Sequence, residues 1–415
     1  MPVVVTAIKK RPSNRGSRDL LAACHAFIIT NYKVTAAKQL AVFGHQWLGY
    51  NHCMNRRFAI LTGAGALAQT LHSQDAPLRV VVAGLVHGHA RGFFNRHMNR
   101  NDVRIVGVAE PDAEVRKRYF DALKLDPSLA FDSVETMIAT TKPEGVLCYT
   151  NTFDHLAVVK TCAVRKVPVM MEKPLAVSNE HAVAMASAAK TSGIHVLVNY
   201  ETTWYSSNRA AYEIARAGKI GEVRKFVIHD GHQGPKLINV QPEFFNWLVD
   251  PKLGGGGASF DFGCYGANLM TWFMDNQRPQ SVTAVTQRLQ PGIYPHTDDE
   301  ATIVVRYAKA VGIIQASWNW PFARKDMEVY GQAGYVNTVA LDGLKVRLPG
   351  GNEEVSKAAP IPAPEDDSLA YFSAVVRGKI KPAGLSSLEN NLVVTQILHA
   401  ARQSAASGKT VSVSI

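Results

Sequence analysis

From Leu78 to Asn199 the chain repeats one grammar, a short β-branched or apolar run, a turn, then a stretch of helical periodicity. The apolar runs fall at 79–83, 103–109, 145–150, 167–171 and 195–199. Helical stretches follow Gly88 and occupy 112–123, 155–165 and 179–192. Nearly continuous apolar strands joined by helices need cover on both faces, which predicts a doubly wound parallel sheet in an α/β fold, a Rossmann arrangement. After Tyr200 the period changes. A helix at 206–217 leads into alternating runs at 223–229, 281–289, 301–307, 311–318 and 327–330, the pattern of a large, mostly antiparallel sheet in a second, α+β domain. A loop holding Pro349, Pro360, Pro362 and Pro364 precedes two closing helices, at 367–377 and 387–407. The expected domains are 76–199 and 200–415.

The 415 residues, 47% hydrophobic and 19% charged, suffice for two such cores. The net charge of +11 invites a polyanion partner, but residues 1–53 contribute six of those charges: Lys9, Lys10, Arg11, Arg15, Arg18, Lys33 and Lys38 stand against Asp19 alone. The folded body is therefore only mildly basic, and no nucleic-acid partner is expected. Cys24, Cys53, Cys148, Cys162 and Cys264 are scattered, without CxxC or Cys/His spacing, so neither a disulfide framework nor a metal site is expected. Residues 1–53 show no sustained period and read as an extension outside the fold. From Met54 the chain runs through Arg56 and Arg57 into an apolar stretch and small residues at 66–68, the layout of a signal segment over 54–75 and similar to a twin-arginine signal. At about fourteen residues the stretch is too short to span a bilayer, so no membrane span is expected. Translation starting at Met54 would make the protein exported or periplasmic; otherwise it is cytoplasmic.

The turn after the first strand reads Gly84, Leu85, Val86, His87, Gly88, His89, Ala90, Arg91, Gly92. Backbone N–H groups and a helix N-terminus at such a turn can hold a pyrophosphate. Val86 and His89 stand where GxGxxG would place its second and third glycines, so the glycines alone fit a tight strand-to-helix turn equally well. Glu110, ending the second strand about twenty residues later, can accept hydrogen bonds from ribose hydroxyls and would repel a 2′-phosphate. Together these features predict NAD rather than NADP; the alternative for Glu110 is a helix-start carboxylate.

After the fifth strand come Glu172, Lys173 and Pro174, and later Gly254 to Gly257, Asp261, Gly263 and Tyr265. An EKP tripeptide followed by a glycine run and DxGxY resembles the Gfo/Idh/MocA oxidoreductases, which include glucose-fructose oxidoreductase, inositol dehydrogenases and dihydrodiol dehydrogenase. The likeness extends over about four-fifths of the chain, from residue 78 onward. It implies a nucleotide-binding domain followed by a sheet domain that mediates homo-oligomerisation, and NAD(P) chemistry on sugars, polyols or related cyclic substrates. It maps Tyr265 onto the acid/base position, of the tyrosine type found in the glucose-fructose and dihydrodiol enzymes, and implies a cis bond before Pro174. It also places Thr150, Asn151 and His155 at a turn beside the dinucleotide, where Asn151 replaces the family's proline.

The chemistry of these residues stands on its own. Oxidising a secondary alcohol needs a base for the hydroxyl proton as hydride leaves the carbon. A neighbouring Lys173 ammonium is expected to lower the phenol pKa of Tyr265 from its usual value of about 10 and to polarise the substrate oxygen. Asp261, four residues before Tyr265, would bind a substrate hydroxyl or hold the lysine, on the same face if that segment is helical. Glu172 is expected in structural or cofactor-side hydrogen bonds, and Cys264 as a buried thiol. Of the aromatic and polar residues farther along, His232 and Lys325 are the expected pocket residues, whereas Trp318 and Trp320 suit a sheet core or interface as well as a sugar platform. The function this predicts is NAD(H)-dependent hydride transfer at a sugar or polyol hydroxyl. Its rivals are an NAD-dependent glycosidase working by transient oxidation and elimination, and a non-catalytic ligand sensor.

Overall fold

The computed structural model describes residues 76–413; the segments expected at 1–53 and 54–75 lie outside the described residues. The first half builds β1 (Leu78–Ala83), α1 (His89–His97), β2 (Val103–Ala109), α2 (Ala113–Leu123), β3 (Ala130–Phe131), α3 (Val134–Thr141), β4 (Gly145–Cys148), α4 (His155–Arg165), β5 (Val169–Glu172), α5 (Asn179–Ser192) and β6 (Val196–Asn199). The six strands form a wholly parallel sheet in the order β3-β2-β1-β4-β5-β6. The order reverses between β1 and β4, so a crevice opens at their carboxyl ends, where ligands of such sheets sit. Local signals set the helix ends. Asp112 accepts from the N–H groups of Glu114 and Val115 to start α2, Ser178 starts α5, and Gly193 in the left-handed conformation ends it.

The second half contains α6 (Ser206–Arg216), β7 (Val223–Gly231), α7 (Pro242–Leu248), α8 (Pro251–Gly254), α9 (Ala258–Asp261), α10 (Gly263–Phe273), β8 (Ser281–Gln287), β9 (Glu300–Arg306), β10 (Val311–Ser317), β11 (Arg324–Gly331), β12 (Tyr335–Val339), β13 (Gly343–Arg347), β14 (Glu354–Lys357), α11 (Ser368–Val376), α12 (Leu388–Ser407) and β15 (Val411–Ser412). Its nine strands run β14-β13-β12-β11-β7-β10-β9-β8-β15, antiparallel except for the central β7/β10 pair. That parallel pair brings the carboxyl ends of two adjacent strands to one edge, next to the first domain. The alternation along β9 shows why one face is covered: Ala301, Ile303 and Val305 are buried under helices, whereas Thr302 and Val304 face outward.

The expectation of one contiguous second domain over 200–415 needs correction. Helix α11 buries Leu369, Tyr371, Phe372 and Val375 in the core formed by β1 residues Val80 and Val82, α1 and α2. Phe372 packs so closely on Gly145 of β4 that a methyl group there would clash with its ring. The parallel sheet exposes an apolar strip that α1 and α2 do not cover, and the chain returns after the second sheet to bury it. The apolar pattern of 368–376 identifies a buried helix without saying which sheet buries it.

Candidate active site

Lys173 directly follows β5, and its ammonium reaches across the crevice to the second domain. It pairs with Asp261 Oδ1 and donates to the Asp261 carbonyl oxygen at 3.0 Å; Trp318 Nε1 donates to Asp261 Oδ2, also at 3.0 Å. Both charged residues are buried. Burial alone would raise the Asp261 pKa, but the Lys173 charge and hydrogen bond outweigh it and hold the carboxyl at about 2. Burial likewise works against the Lys173 ammonium, and Asp261 prevails, raising its pKa. Of the two roles expected for Asp261, holding the lysine is the one realised.

Asp261 and Tyr265 both meet the Lys173 ammonium. Asp261 ends the single turn of α9, the chain breaks at Phe262, and Tyr265 lies in the first turn of α10. The break leaves Asp261 on Lys173 and the Tyr265 ring between two ammonium groups, Lys173 Nζ at 5.0 Å and Lys325 Nζ at 4.6 Å from its centroid. Lys325 in turn pairs with Glu201, which accepts from the Tyr205 hydroxyl at 2.6 Å. Tyr265 is only 1% exposed. The expected lowering of its pKa is overturned: burial, with Glu201, Cys264, Asp261 and Glu172 adding to it, pushes the phenol well above 10. The lysine charges are already matched by carboxylates and face the ring, so desolvation decides. Cys264 is buried and pushed up to about 12, an inert thiol as expected.

His232 joins this cluster. Its ring packs edge-on against Phe262 at 4.8 Å, and its Nδ1 accepts from Gly234 N–H at 2.9 Å, which leaves the proton on Nε2. Burial lowers its pKa against the pull of Asp261, keeping the imidazole neutral. Lys173, Asp261, Tyr265, His232 and Lys325 thus gather at one place.

The cofactor-side residues form a second group. Gly84 has φ +83°, and a methyl group there would lie 2.7 Å from Thr150, so only glycine lets the β1 and β4 turns close on each other. His87 N–H donates to Tyr149 O and Leu85 N–H to Glu110, while Val86 and Gly88 N–H make no hydrogen bond at the start of α1. Phe244 of α7 packs over Gly88, and Trp247 Nε1 donates to Val86 O. Two free N–H groups at a helix N-terminus, next to a turn that glycine alone permits, fit a dinucleotide pyrophosphate. Glu110 is 2% exposed, and its oxygens accept from Leu85 N–H at 2.7 Å and Asp112 N–H at 3.0 Å; it ties the glycine turn to the start of α2. Asn151 bonds both the backbone and the carboxylate of Asp154 and so starts α4. His155 is fully buried, with Nδ1 bonded to Leu175 O, and its Nε2 has no partner. Burial pulls its pKa down to about 4.

Glu172 is held by His89 Nδ1 at 3.0 Å and Asn199 Nδ2 at 3.1 Å, and Asn199 accepts from Trp204 Nε1. Burial would raise its pKa, but His89, His87 and Lys173 bring it to about 2. Potential ligand atoms of His87, His89 and Glu172 lie within 4.8 Å of one another. Hydrogen bonding claims them, because His87 Nδ1 accepts from His89 N–H and His89 Nδ1 donates to Glu172. The trio reads as a bonded chain that sets ring orientations. His89 and Glu172 line one side of a cavity of about 520 Å³, together with Phe93, Tyr149, Asn199, Glu201 and Trp204.

Sequence reasoning missed Glu201, Asn199, Phe244 and Asp230. Asp230 left a readable signal: along β7 it occupies the buried phase of Phe226 and Ile228, where a carboxylate has no packing reason to be.

Comparisons with known proteins agree with this geometry. Residues 78–200 match a family model described as an oxidoreductase family with an NAD-binding Rossmann fold, and residues 208–337 match the GFO/IDH/MocA C-terminal domain. The chain is 24% identical over 208 residues to trans-1,2-dihydrobenzene-1,2-diol dehydrogenase of Macaca fuscata fuscata, covering 50% of this chain but only 58% of that enzyme. It is 25% identical over 320 residues to D-apiose dehydrogenase of Rhizobium rhizogenes, covering 72% and 84%. An inositol dehydrogenase homolog from Azotobacter vinelandii, complexed with NAD+, superposes with a TM-score of 0.70 at 19% identity, over 81% of this chain and 98% of that one; this likeness concerns the fold.

The ion pair gives a test by acid. A carboxyl whose folded pKa is depressed stabilises fully above its unfolded pKa of about 4, and that contribution is lost as pH falls toward the folded value. Thermal melts should show wild type losing stability between pH 4 and pH 2. Asp261→Asn should be less stable at pH 7 by about 3 kcal/mol, because Lys173 is left buried and unmatched, and should show a shallower loss over that window.

Proposed function

Because the chain belongs to the GFO/IDH/MocA oxidoreductase family, we propose that it transfers hydride between NAD and a secondary hydroxyl of a sugar, polyol or related cyclic substrate. The observation that supports this reading is the buried Lys173–Asp261 pair beside the enclosed Tyr265 phenol, at the carboxyl edge of a Rossmann sheet. Bound NAD supplies the hydride acceptor. Gly84, with the N–H groups of Val86 and Gly88, would hold its pyrophosphate, and Glu110 fixes the turn that presents them.

The protein's own groups then handle the oxygen. Tyr265, kept as a neutral phenol by burial, donates a hydrogen bond to the reacting oxygen and supplies its proton when a carbonyl is reduced. In oxidation the same group acts from its phenolate form, which Lys173 and Lys325 stabilise, and takes the hydroxyl proton as hydride leaves the carbon. Lys173 and Lys325 flank the ring with two positive charges that stabilise negative charge developing on the phenol and on the substrate oxygen. Asp261 keeps Lys173 oriented, and Trp318 keeps Asp261 oriented. His232 offers Nε2–H as a hydroxyl-binding donor.

Assembly and location complete the proposal. The outer face of the nine-stranded sheet carries Val285 at 64% and Val304 at 36% exposure, apolar groups suited to a second copy. This supports a homo-oligomer joined through that face, and Val285→Lys with Val304→Lys should shift sedimentation toward monomer; an unchanged sedimentation coefficient refutes this interface. No described helix is long and apolar enough to cross a membrane. The Arg56–Arg57 signal pattern supports export, and a chain shortened beyond residue 75 in a periplasmic fraction is the expected product.

The central test is direct. Mass spectrometry of native protein incubated with NAD should detect bound nicotinamide dinucleotide, and a sugar and polyol panel should produce NADH absorbance. Tyr265→Phe should lower turnover by about 10² or more with cofactor affinity nearly unchanged. Near-normal turnover in that variant removes the phenol from the chemistry.

A further inference from the structure

Asp230 lies inside this centre, and its carboxyl takes no part in hydrogen bonding among the described residues. On β7 it is flanked by Ala316 of β10 and Lys325 of β11, and it shares the inner face with Phe226 and Ile228, packed toward α10, the helix that carries Cys264 and Tyr265. It is 1% exposed, no side chain or backbone group bonds its carboxyl, and Oδ2 is enclosed without a partner. Every other acidic group of the cluster is committed: Asp261 to Lys173 and Trp318, Glu201 to Lys325 and Tyr205, Glu172 to His89 and Asn199. Lys325, its strand neighbour, turns its ammonium to Glu201 instead.

An unpartnered buried carboxyl is costly to the folded protein, so its persistence calls for a partner that arrives with the ligand. The groups that bear on it are Lys325 and Asp326 from β11, Glu201 and Tyr205 from the segment after β6, Lys173, and Cys264. Burial, the largest influence, raises its pKa well above the carboxylate range, with Lys325 opposing. A carboxyl accepts from a hydroxyl when ionised and can also donate to one when protonated, so either form suits a hydroxyl group.

We propose that Asp230 is a specificity-determining residue that binds a second hydroxyl of the substrate, next to the one oxidised, so that the site takes vicinal diols and polyols in preference to simple alcohols. This deepens the proposed function and rests on it. A site built to bond a hydroxyl rejects the analogue lacking it far more strongly than an apolar pocket does, because its own polar group then stays unpaired.

The experiment uses the NAD-loaded full chain and paired probes: trans-1,2-cyclohexanediol with cyclohexanol, and myo-inositol with a mono-deoxy inositol. NADH formation gives kcat/KM, and ligand-induced thermal shift gives binding. In wild type the diol or polyol should exceed its deoxy partner by 10² or more. Asp230→Leu should reduce that ratio to less than 10, chiefly by losing activity on the polyol, whereas Asp230→Asn, which still bonds a hydroxyl, should keep most of it. A purely structural role predicts a lowered melting temperature with the ratio intact, and that result overturns the assignment while leaving the proposed function standing. Variants that do not fold leave the wild-type ratio as the deciding measurement, and a ratio near 1 overturns the assignment. A folded, NAD-loaded protein that neither oxidises nor binds any polyol overturns the proposed function and this assignment together.

Discussion

One buried ion pair, Lys173 with Asp261, joins the two halves of this molecule at the point where chemistry is possible. Its partners arrive from opposite directions: the lysine from the end of β5 in the parallel sheet, the carboxylate from a one-turn helix of the second domain. Two charges taken out of water gain little unless their remaining hydrogen-bonding capacity is filled. Here the Asp261 carbonyl and Trp318 Nε1 fill it, so the pair locks a geometry at a cost that the surrounding core offsets. Remove either charge and the other becomes the most expensive group in the crevice.

Around that pair, charge alternates along a path: Tyr205 and Glu201, then Lys325, the Tyr265 ring, Lys173 and Asp261. Tyr265 sits at its centre with no carboxylate of its own. Desolvation therefore keeps the phenol neutral, and the two flanking ammoniums act on its face rather than pulling off its proton. The arrangement suits a group that rests neutral and whose charge, once its proton is given, meets two ammonium groups. Asp230 stands beside this path, enclosed and unbonded, which sets it apart from the carboxylates whose work is to neutralise lysines.

The cofactor side follows a different logic. Glycine at position 84 lets the ends of β1 and β4 touch, and Glu110, buried at the end of β2 on the other side of β1, bonds the backbone of the turn. Glu110 thereby builds the turn from beneath. His89, Glu172, Asn199 and Trp204 form a similar supporting chain along the adjoining cavity.

The sequence alone determined the period-two and helical runs, the parallel sheet and the glycine turn, and the family resemblance singled out Lys173, Asp261 and Tyr265. These rest on local chemistry, on side-chain spacing and on motifs whose residue types are dictated by what they do. Only the tertiary structure decided which sheet α11 covers, that Lys325 joins Lys173 at the Tyr265 ring, and that the phenol pKa rises rather than falls. Each of those depends on desolvation and on contacts between residues far apart in the chain, and a linear pattern holds neither quantity. Asp230 lies on the border: a carboxylate in the buried phase of a strand is visible as an anomaly, but its enclosure beside Lys325 appears only once β7 and β11 are paired.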